Sequence, residues 1–311
     1  MRCLALAQEL QKLGSTITFS TNYDALAVCP SLKNFKVRFE STNDFLHCID
    51  EKKIFGRILI VDDYSWEADF DHLCRKGFST IVSIDDYAHR EYACDVILNQ
   101  NLGWRPNDYN KKCNGEIRYL IGPDYALLRP EFSQIRERGL RKRINTKRIL
   151  VCLGLGEYLD LEENIINLLR AFEKKIDVDL ISVNYTPMKN KNMSRHIKYH
   201  KFTEKIADLM AGADLAIGGA GSSSWERCCL GLPALNIVLA KNQFEIARHI
   251  EIAGASRTFY ASDSQLMKKL SEALDELISS PEKLQKMSLK APNICDGRGA
   301  IRAALAILDY E

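Results

Sequence analysis

At 311 residues and 46% hydrophobic content the chain has material for two ordinary cores, and it contains no apolar run of the roughly 18 to 20 residues that span a bilayer. Its formal charge of +2 is the difference between 43 basic and 41 acidic side chains, which excludes a global field that would gather nucleic acid. Ten cysteines (3, 29, 48, 74, 94, 113, 152, 228, 229 and 295) include no C-x-x-C pair and no histidine at zinc spacing, so they read as reduced, packed thiols of a cytoplasmic protein.

The chain opens on "MRCLALAQEL", where Leu4, Ala5, Ala7, Leu10 and Leu13 recur at helical spacing and Gly14 sits where a helix end wants positive φ. The β-branched "STITFST" follows, so this helix reads as the crossover of a βαβ unit whose first strand would lie upstream of Met1. In a doubly wound sheet that strand is central, so a true start upstream of Met1 is expected. Residues 1 to 13 alternate polar with apolar and do not read as a targeting segment.

Strand-like runs "ITFST", "FKVRF", "RILIVDD", "TIVSIDD" and "DVILNQ" then alternate with helical stretches such as 43–53 and 67–76. The second half repeats this with "RILVCLG", "VDLISVN", "DLAIGG" and "ALNIVL", separated by helical stretches 161–175, 204–211 and 224–230. The run "RERGLRKRINTKR", residues 136–148, reads as a solvated helix end and linker. Residues after 243 turn mostly helical, at 243–253, 263–279 and 298–308. The expectation is α/β: two doubly wound Rossmann-like domains, 1–145 and 146–311, with a cleft between them and the last helix packing back on the first domain.

Ligands in open parallel sheets bind beyond the carboxyl ends of the strands, so polar groups there are the site candidates. In "DLAIGGAGSSSWERCCLGLPALNIVLAKNQ" an apolar strand runs into glycines and serines and then a helix. Glycines 218, 219 and 221 would let a phosphate approach the main chain, serines 222–224 add hydroxyl donors, and Glu226 can accept ribose hydroxyls. The loop is neither a Walker A loop nor a G-x-G-x-x-G fingerprint; a nucleoside diphosphate sugar held without metal or other cofactor fits better. Asp62 and Asp63 after one strand, and Asp85 and Asp86 after another, suit sugar hydroxyls or a water, with one acid of each pair expected to cap the next turn instead. The six histidines form no triad or metal cluster; His89, after "IDDYA", lies nearest the strand ends.

Six blocks in order, "MRCLALAQEL", "VDDY", "SIDDYAHREYACDVILNQNLG", "GPDYALLRPEF", "GSSSWERCCLGLPALNIVLAKNQ" and "CDGRGA", resemble the UDP-sugar hydrolase family of pseudaminic acid biosynthesis. The resemblance implies a glycosyltransferase-B-like fold and release of UDP from a UDP-linked 2,4-diacetamido-2,4,6-trideoxy sugar, with a general-base histidine in a G-x-G-H loop upstream of Met1. It implies Tyr64, Asn242 and Asp62 as the catalytic set. Gly219, Ala220, Gly221, Ser222, Ser223, Glu226 and Gly154 would bind UDP, with Asp85 and Tyr125 beside the sugar. The chain departs from the family at Asp62-Asp63-Tyr64, where Asp-His-Tyr is usual, and at Gly154-Leu155-Gly156-Glu157, where Gly-Gly-x-Asp is usual. A UDP-sugar substrate, no nucleic-acid or integral-membrane partner and a monomer are expected. A non-catalytic sugar-nucleotide binder and a glycosyltransferase on the same scaffold are the alternatives.

Overall fold

The computed structural model describes residues 1–113, 115–154, 156–172, 176–182, 196–201, 203 and 205–310. It divides into two compact units, residues 1–129 with 298–311, and residues 130–297.

In the first unit α1 (Arg2–Lys12) ends at Gly14, whose φ of +91° only glycine adopts without strain. There follow β1 (Thr18–Thr21), α2 (Ala25–Val28), β2 (Lys36–Phe39), α3 (Thr42–Asp50), β3 (Gly56–Val61), α4 (Ala68–Cys74), β4 (Phe78–Ile84), β5 (Val96–Asn99) and β6 (Arg118–Ile121). All strand pairs are parallel, in two sheets: β1-β2 and β3-β4-β5-β6. Helix α1 serves both. Its Leu4 packs with Cys29 and Leu32 beside β1 and β2, while Ala5, Leu6 and Leu10 pack against Val82, Ile84, Val96 and Leu98 of β4 and β5.

The second unit runs α5 (Pro130–Glu137), β7 (Arg148–Cys152), α6 (Leu159–Arg170), β8 (Asp177–Ile181), β9 (Ile197–His200), α7 (Ile206–Gly212), β10 (Leu215–Gly219), α8 (Ser223–Cys229), β11 (Ala234–Val238), α9 (Phe244–Ile252), β12 (Ser256–Tyr260), α10 (Leu266–Ser279) and α11 (Pro281–Lys290). Its six parallel strands are ordered β12-β11-β10-β7-β8-β9, with β10 and β7 at the centre and near-continuously apolar, as strands covered on both faces must be. The expected elements at 161–175, 178–184 and 204–211 include residues 173–175, 183, 184 and 204, which lie outside the described residues. Finally α12 (Gly299–Leu308) returns to the first unit and buries Ala300, Ala303, Ala304 and Ile307 in the core that α1 shares.

The division falls at residue 129, not near 145, because the basic run is an internal fastener and not a solvated linker. Arg136 on α5 donates to the carbonyls of Cys229, Pro292 and Cys295. Arg143 is 1% exposed and holds the carbonyls of Met210, Ala213, Leu230 and Gly231, where α7 and α8 end. Arg141 pairs with Asp214 at 2.8 Å and Arg148 with Asp179 at 2.5 Å. All ten cysteines are free thiols, six of them buried. No helix among the described residues is long and apolar enough to cross a membrane.

Candidate functional site

In the first unit the two acid pairs follow β3 and β4, and each pair divides its labour. Asp63 accepts from Ser65 N and Oγ (2.9 and 2.7 Å) and from Thr42 Oγ1, so it holds the turn into the next helix. Asp85, 3% exposed, accepts from Tyr87 N, Ala88 N and Tyr109 Oη at 2.7 to 2.9 Å. Those bonds pin a turn in which Ala88 takes a φ of +49°. The other two acids converge on Arg2. Its guanidinium grips Asp62 through Nε and Nη2 (2.9 and 2.6 Å) and both Asp86 oxygens through Nη1 at 2.9 Å. Asn101 Nδ2 adds a 2.7 Å bond to Asp86, which also accepts the Tyr64 phenol.

Asp62 and Tyr64 thus belong to one network, and its second carboxylate is Asp86. Asp85, expected beside the sugar, commits its Oδ2 to two backbone N–H groups and Tyr109 and so holds this turn. Asp62 is fully engaged too, with Cys3 Sγ donating to it at 3.0 Å. Burial works to raise its pKa, but the Arg2 bonds and charge win and hold it below the usual aspartate value. A carboxylate so held orients its neighbours and is a poor proton acceptor. Tyr64, about half exposed, meets Tyr87 edge-to-face at 5.5 Å, and Tyr87 meets His89 at 5.3 Å. His89 also lies 3.8 Å from Asp85. Tyr125, also expected beside the sugar, is half-buried and packs its ring on the core that includes Leu127, Ala300 and Ala303.

In the second unit β10 delivers Gly218 and Gly219 to the sequence Ala220-Gly221-Ser222 before α8. The first two glycines serve packing instead of ligand approach. A Cβ at Gly218 would sit 2.7 Å from Cys152 O and 2.9 Å from Arg227 Nη1, and one at Gly219 would sit 2.4 Å from Leu153 O. Gly221 has room, its nearest neighbour being Gln243 Nε2 at 3.6 Å. Helix α8 spans only seven residues, and its Ser224 and Trp225 N–H groups bond Gly221 O and Ser222 O at 2.9 and 3.1 Å. The donors left are the N–H groups of Gly221, Ser222 and Ser223, which have no acceptor among the described residues, and the hydroxyl of the half-buried Ser223.

Arg227 lies beneath this loop, 2% exposed, with Nη1 on Ser223 Oγ (3.0 Å) and Nη2 shared between Gly219 O (2.7 Å), Ser224 Oγ (2.9 Å) and Asn236 Oδ1 (2.9 Å). Glu226, partly exposed, stands one residue before it. On the other flank, residues 241–243 form a 3₁₀ turn in which Gln243 Oε1 accepts from Leu239 N at 2.9 Å. The adjoining Asn242 buries an Oδ1 with no partner among the described residues. Gly154, with φ +114° and open space around a built Cβ, follows β7; Leu155 lies outside the described residues. No cluster of three metal-ligating side chains occurs among the described residues.

Sequence reasoning missed Arg2, Asn101, Arg227 and Gln243. Arg227 carried a signal in "SSSWERCCLGL": a charge embedded in an apolar run, with serines three and four residues before it on the same helix face. Arg2 had none, because its partners come from strands sixty and eighty-four residues away.

Residues 157–299 match the glycosyltransferase family 28 C-terminal domain. The chain is 28% identical over 261 residues to an uncharacterized protein of Methanocaldococcus jannaschii, covering 78% of this chain and 53% of that one, so it spans about half of that relative's length. It is 26% identical over 216 residues to the UDP-2,4-diacetamido-2,4,6-trideoxy-beta-L-altropyranose hydrolase of Campylobacter jejuni, 67% of this chain and 75% of that one. Among solved structures it is similar to Acinetobacter baumannii MurG, with a TM-score of 0.66 at 14% identity over 99% of this chain and 95% of the other. Residues 157–299 are thus similar to a glycosyltransferase family 28 C-terminal domain, and the chain has the glycosyltransferase-B-like fold with two Rossmann-like domains.

Proposed function

We propose that this chain hydrolyses a UDP-linked 2,4-diacetamido-2,4,6-trideoxy sugar to the free sugar and UDP. Water attacks the anomeric carbon, the bond from that carbon to the diphosphate oxygen breaks, and UDP departs as the anion. The observation that carries this reading is the loop 219–223, where three backbone N–H groups without acceptors among the described residues and a serine hydroxyl stand over a buried guanidinium. Such preorganised donors stabilise negative charge as it develops on a leaving diphosphate. Glu226 is assigned to the ribose. The unpartnered Oδ1 of Asn242 is assigned to the sugar or its water in the second unit, because a buried acceptor left without a donor costs about 1–3 kcal/mol until a ligand supplies one. In the first unit Tyr64, held by Asp86, is assigned to the sugar side. The 26% identity to the Campylobacter jejuni hydrolase supports the substrate class.

A glycosyltransferase on the same scaffold is the second reading, supported by the family 28 match over residues 157–299. The two part on the acceptor. Incubation with the UDP-linked diacetamido sugar in ¹⁸O-water, with no other acceptor, is expected to release UDP and place the label in the sugar. UDP release that waits for an added hydroxyl acceptor would establish the transferase. Binding of UDP without any release would make the protein a non-catalytic sugar-nucleotide binder.

A further inference from the structure

The glycine–serine loop of the second unit rests on a buried guanidinium that no carboxylate touches. Arg227 is 2% exposed and forms no ion pair among the described residues, where its Nε also has no hydrogen-bond partner; the neighbouring Glu226 acts on it only through its charge. The atoms it does meet, Gly219 O, Ser223 Oγ, Ser224 Oγ and Asn236 Oδ1, are neutral. A guanidinium taken out of water and hydrogen-bonded only to neutral dipoles is costly, and burial pulls its pKa below the usual arginine value, against the opposing charge of Glu226. The bonds also fix a direction. A serine hydroxyl that accepts from an arginine must aim its own proton elsewhere, and Ser224 is buried whereas Ser223 is half-exposed on the loop's outer side.

We propose that Arg227 is a positioning residue for anion capture: it locks Ser223 as an outward donor and holds beneath the loop the positive charge that the phosphates of a nucleoside diphosphate meet. This rests on the reading of 219–223 as a diphosphate loop and adds what makes that loop selective for an anion. A buried charge whose direct contacts are all neutral is an asset when a phosphate arrives, so its contribution falls on the phosphates and not on the nucleoside. Chains of hydrogen bonds polarise one another, so the Arg227–Ser223 bond makes Ser223 a stronger donor than a free serine.

The test is calorimetric titration of the full chain with UDP and with uridine, the ratio of the two affinities being the readout. Arg227→Gln is expected to cut that ratio by about tenfold or more, the loss typical of a hydrogen bond to a charged group, while uridine affinity stays put. Arg227→Lys keeps the charge and is expected to recover part of the ratio. Ser223→Ala, which removes only a half-exposed hydroxyl, is expected to lower the ratio severalfold in the wild-type background and to add little to Arg227→Gln. A folded Arg227→Gln with an unchanged ratio overturns the proposal, as does a Ser223→Ala effect that survives undiminished beside it. If Arg227→Gln does not fold, Ser223→Ala decides: an unchanged ratio there overturns the relay. A protein that prefers UDP through Arg227 yet releases none from the UDP-sugar refutes the hydrolase reading and leaves this one standing.

Discussion

Gly219→Ala tests whether the double glycine at the end of β10 serves the sheet or the ligand. The added Cβ would lie 2.4 Å from Leu153 O and 3.0 Å from Leu239 Cδ1. Side-chain carbons essentially never approach within 3.0 Å of another heavy atom, so β10 and the end of β7 must part by at least 0.6 Å, which is 3.0 less 2.4. The obstructing atom is a backbone carbonyl beyond the central strand β7, and it cannot rotate aside. Forced overpacking of this kind costs about 1–3 kcal/mol, less the roughly 0.4–1 kcal/mol that a Gly→Ala change gains by stiffening the unfolded chain. Gly221→Ala, whose Cβ meets nothing closer than 3.6 Å, gains that entropy without the clash. The assay is thermal unfolding followed by Trp225, the one tryptophan of residues 130–297, so that the second unit's transition is read alone. With ~2–4 °C per kcal/mol in a domain of this size, Gly219→Ala is expected to unfold several degrees early with no ligand present, and Gly221→Ala at or above the wild-type midpoint. A Gly219→Ala protein as stable as wild type, but impaired in UDP binding, would refute the packing argument and return both glycines to the ligand.

Glu162 on α6 is 2% exposed and its Oε2 has no partner among the described residues; burial raises its pKa above the usual 4.5, with a Ser182 hydrogen bond opposing. A raised folded pKa means stability that is complete below 4.5 and lost as pH rises through the folded pKa, so Glu162→Gln is expected to raise the midpoint at pH 7–8 and to leave it unchanged near pH 4. Equal shifts at both pH values would show that charge is not the cause. Asp86→Asn takes one of two acids from Arg2 and the anionic acceptor from Tyr64. It is expected to cost the first unit about 1–3 kcal/mol in urea unfolding followed by the fluorescence of Trp66, and to lower UDP release together with Tyr64→Phe; an unperturbed Asp86→Asn would dissolve the network as a functional unit. Arg143→Met strands the carbonyls of Met210, Ala213, Leu230 and Gly231, and the second unit is expected to lose about 3–5 kcal/mol, measured by the midpoint of Trp225 unfolding.

Sequence reasoning anticipated β1, β2 and β3 at sheet edges as well as β4, β5, β7, β8, β10 and β11 inside the sheets, each a run rich in β-branched or apolar residues. The three it missed, β6 (RYLI), β9 (IKYH) and β12 (SRTFY), are all sheet edges, four or five residues long and interrupted by polar side chains, so periodicity had little to work on. The site divides in the same way. Acids at strand ends and a glycine–serine loop are local patterns and could be read. Which acid of each pair joins the Arg2 network depends on Arg2 and Tyr109, residues distant in sequence, so the sequence pattern alone did not single out Asp86. Glycines pattern alike whether they admit a phosphate or a neighbouring carbonyl, so the close approach of Cys152 O and Leu153 O to Gly218 and Gly219 was not legible.

The return of α12 has a consequence for the order in which the protein is made. Residues 130–297 form a continuous stretch and can close their core as soon as they leave the ribosome, because domains fold as units during synthesis. The first unit is translated first yet finishes last: Ala5, Leu6 and Leu10 wait for Ala300, Ala303 and Ile307, nearly the whole chain later. Until then the apolar stripe of α1 is uncovered on a nascent chain, which makes it the natural place for a chaperone to hold. Slowing translation after residue 297 would prolong that exposure while leaving the second unit untouched.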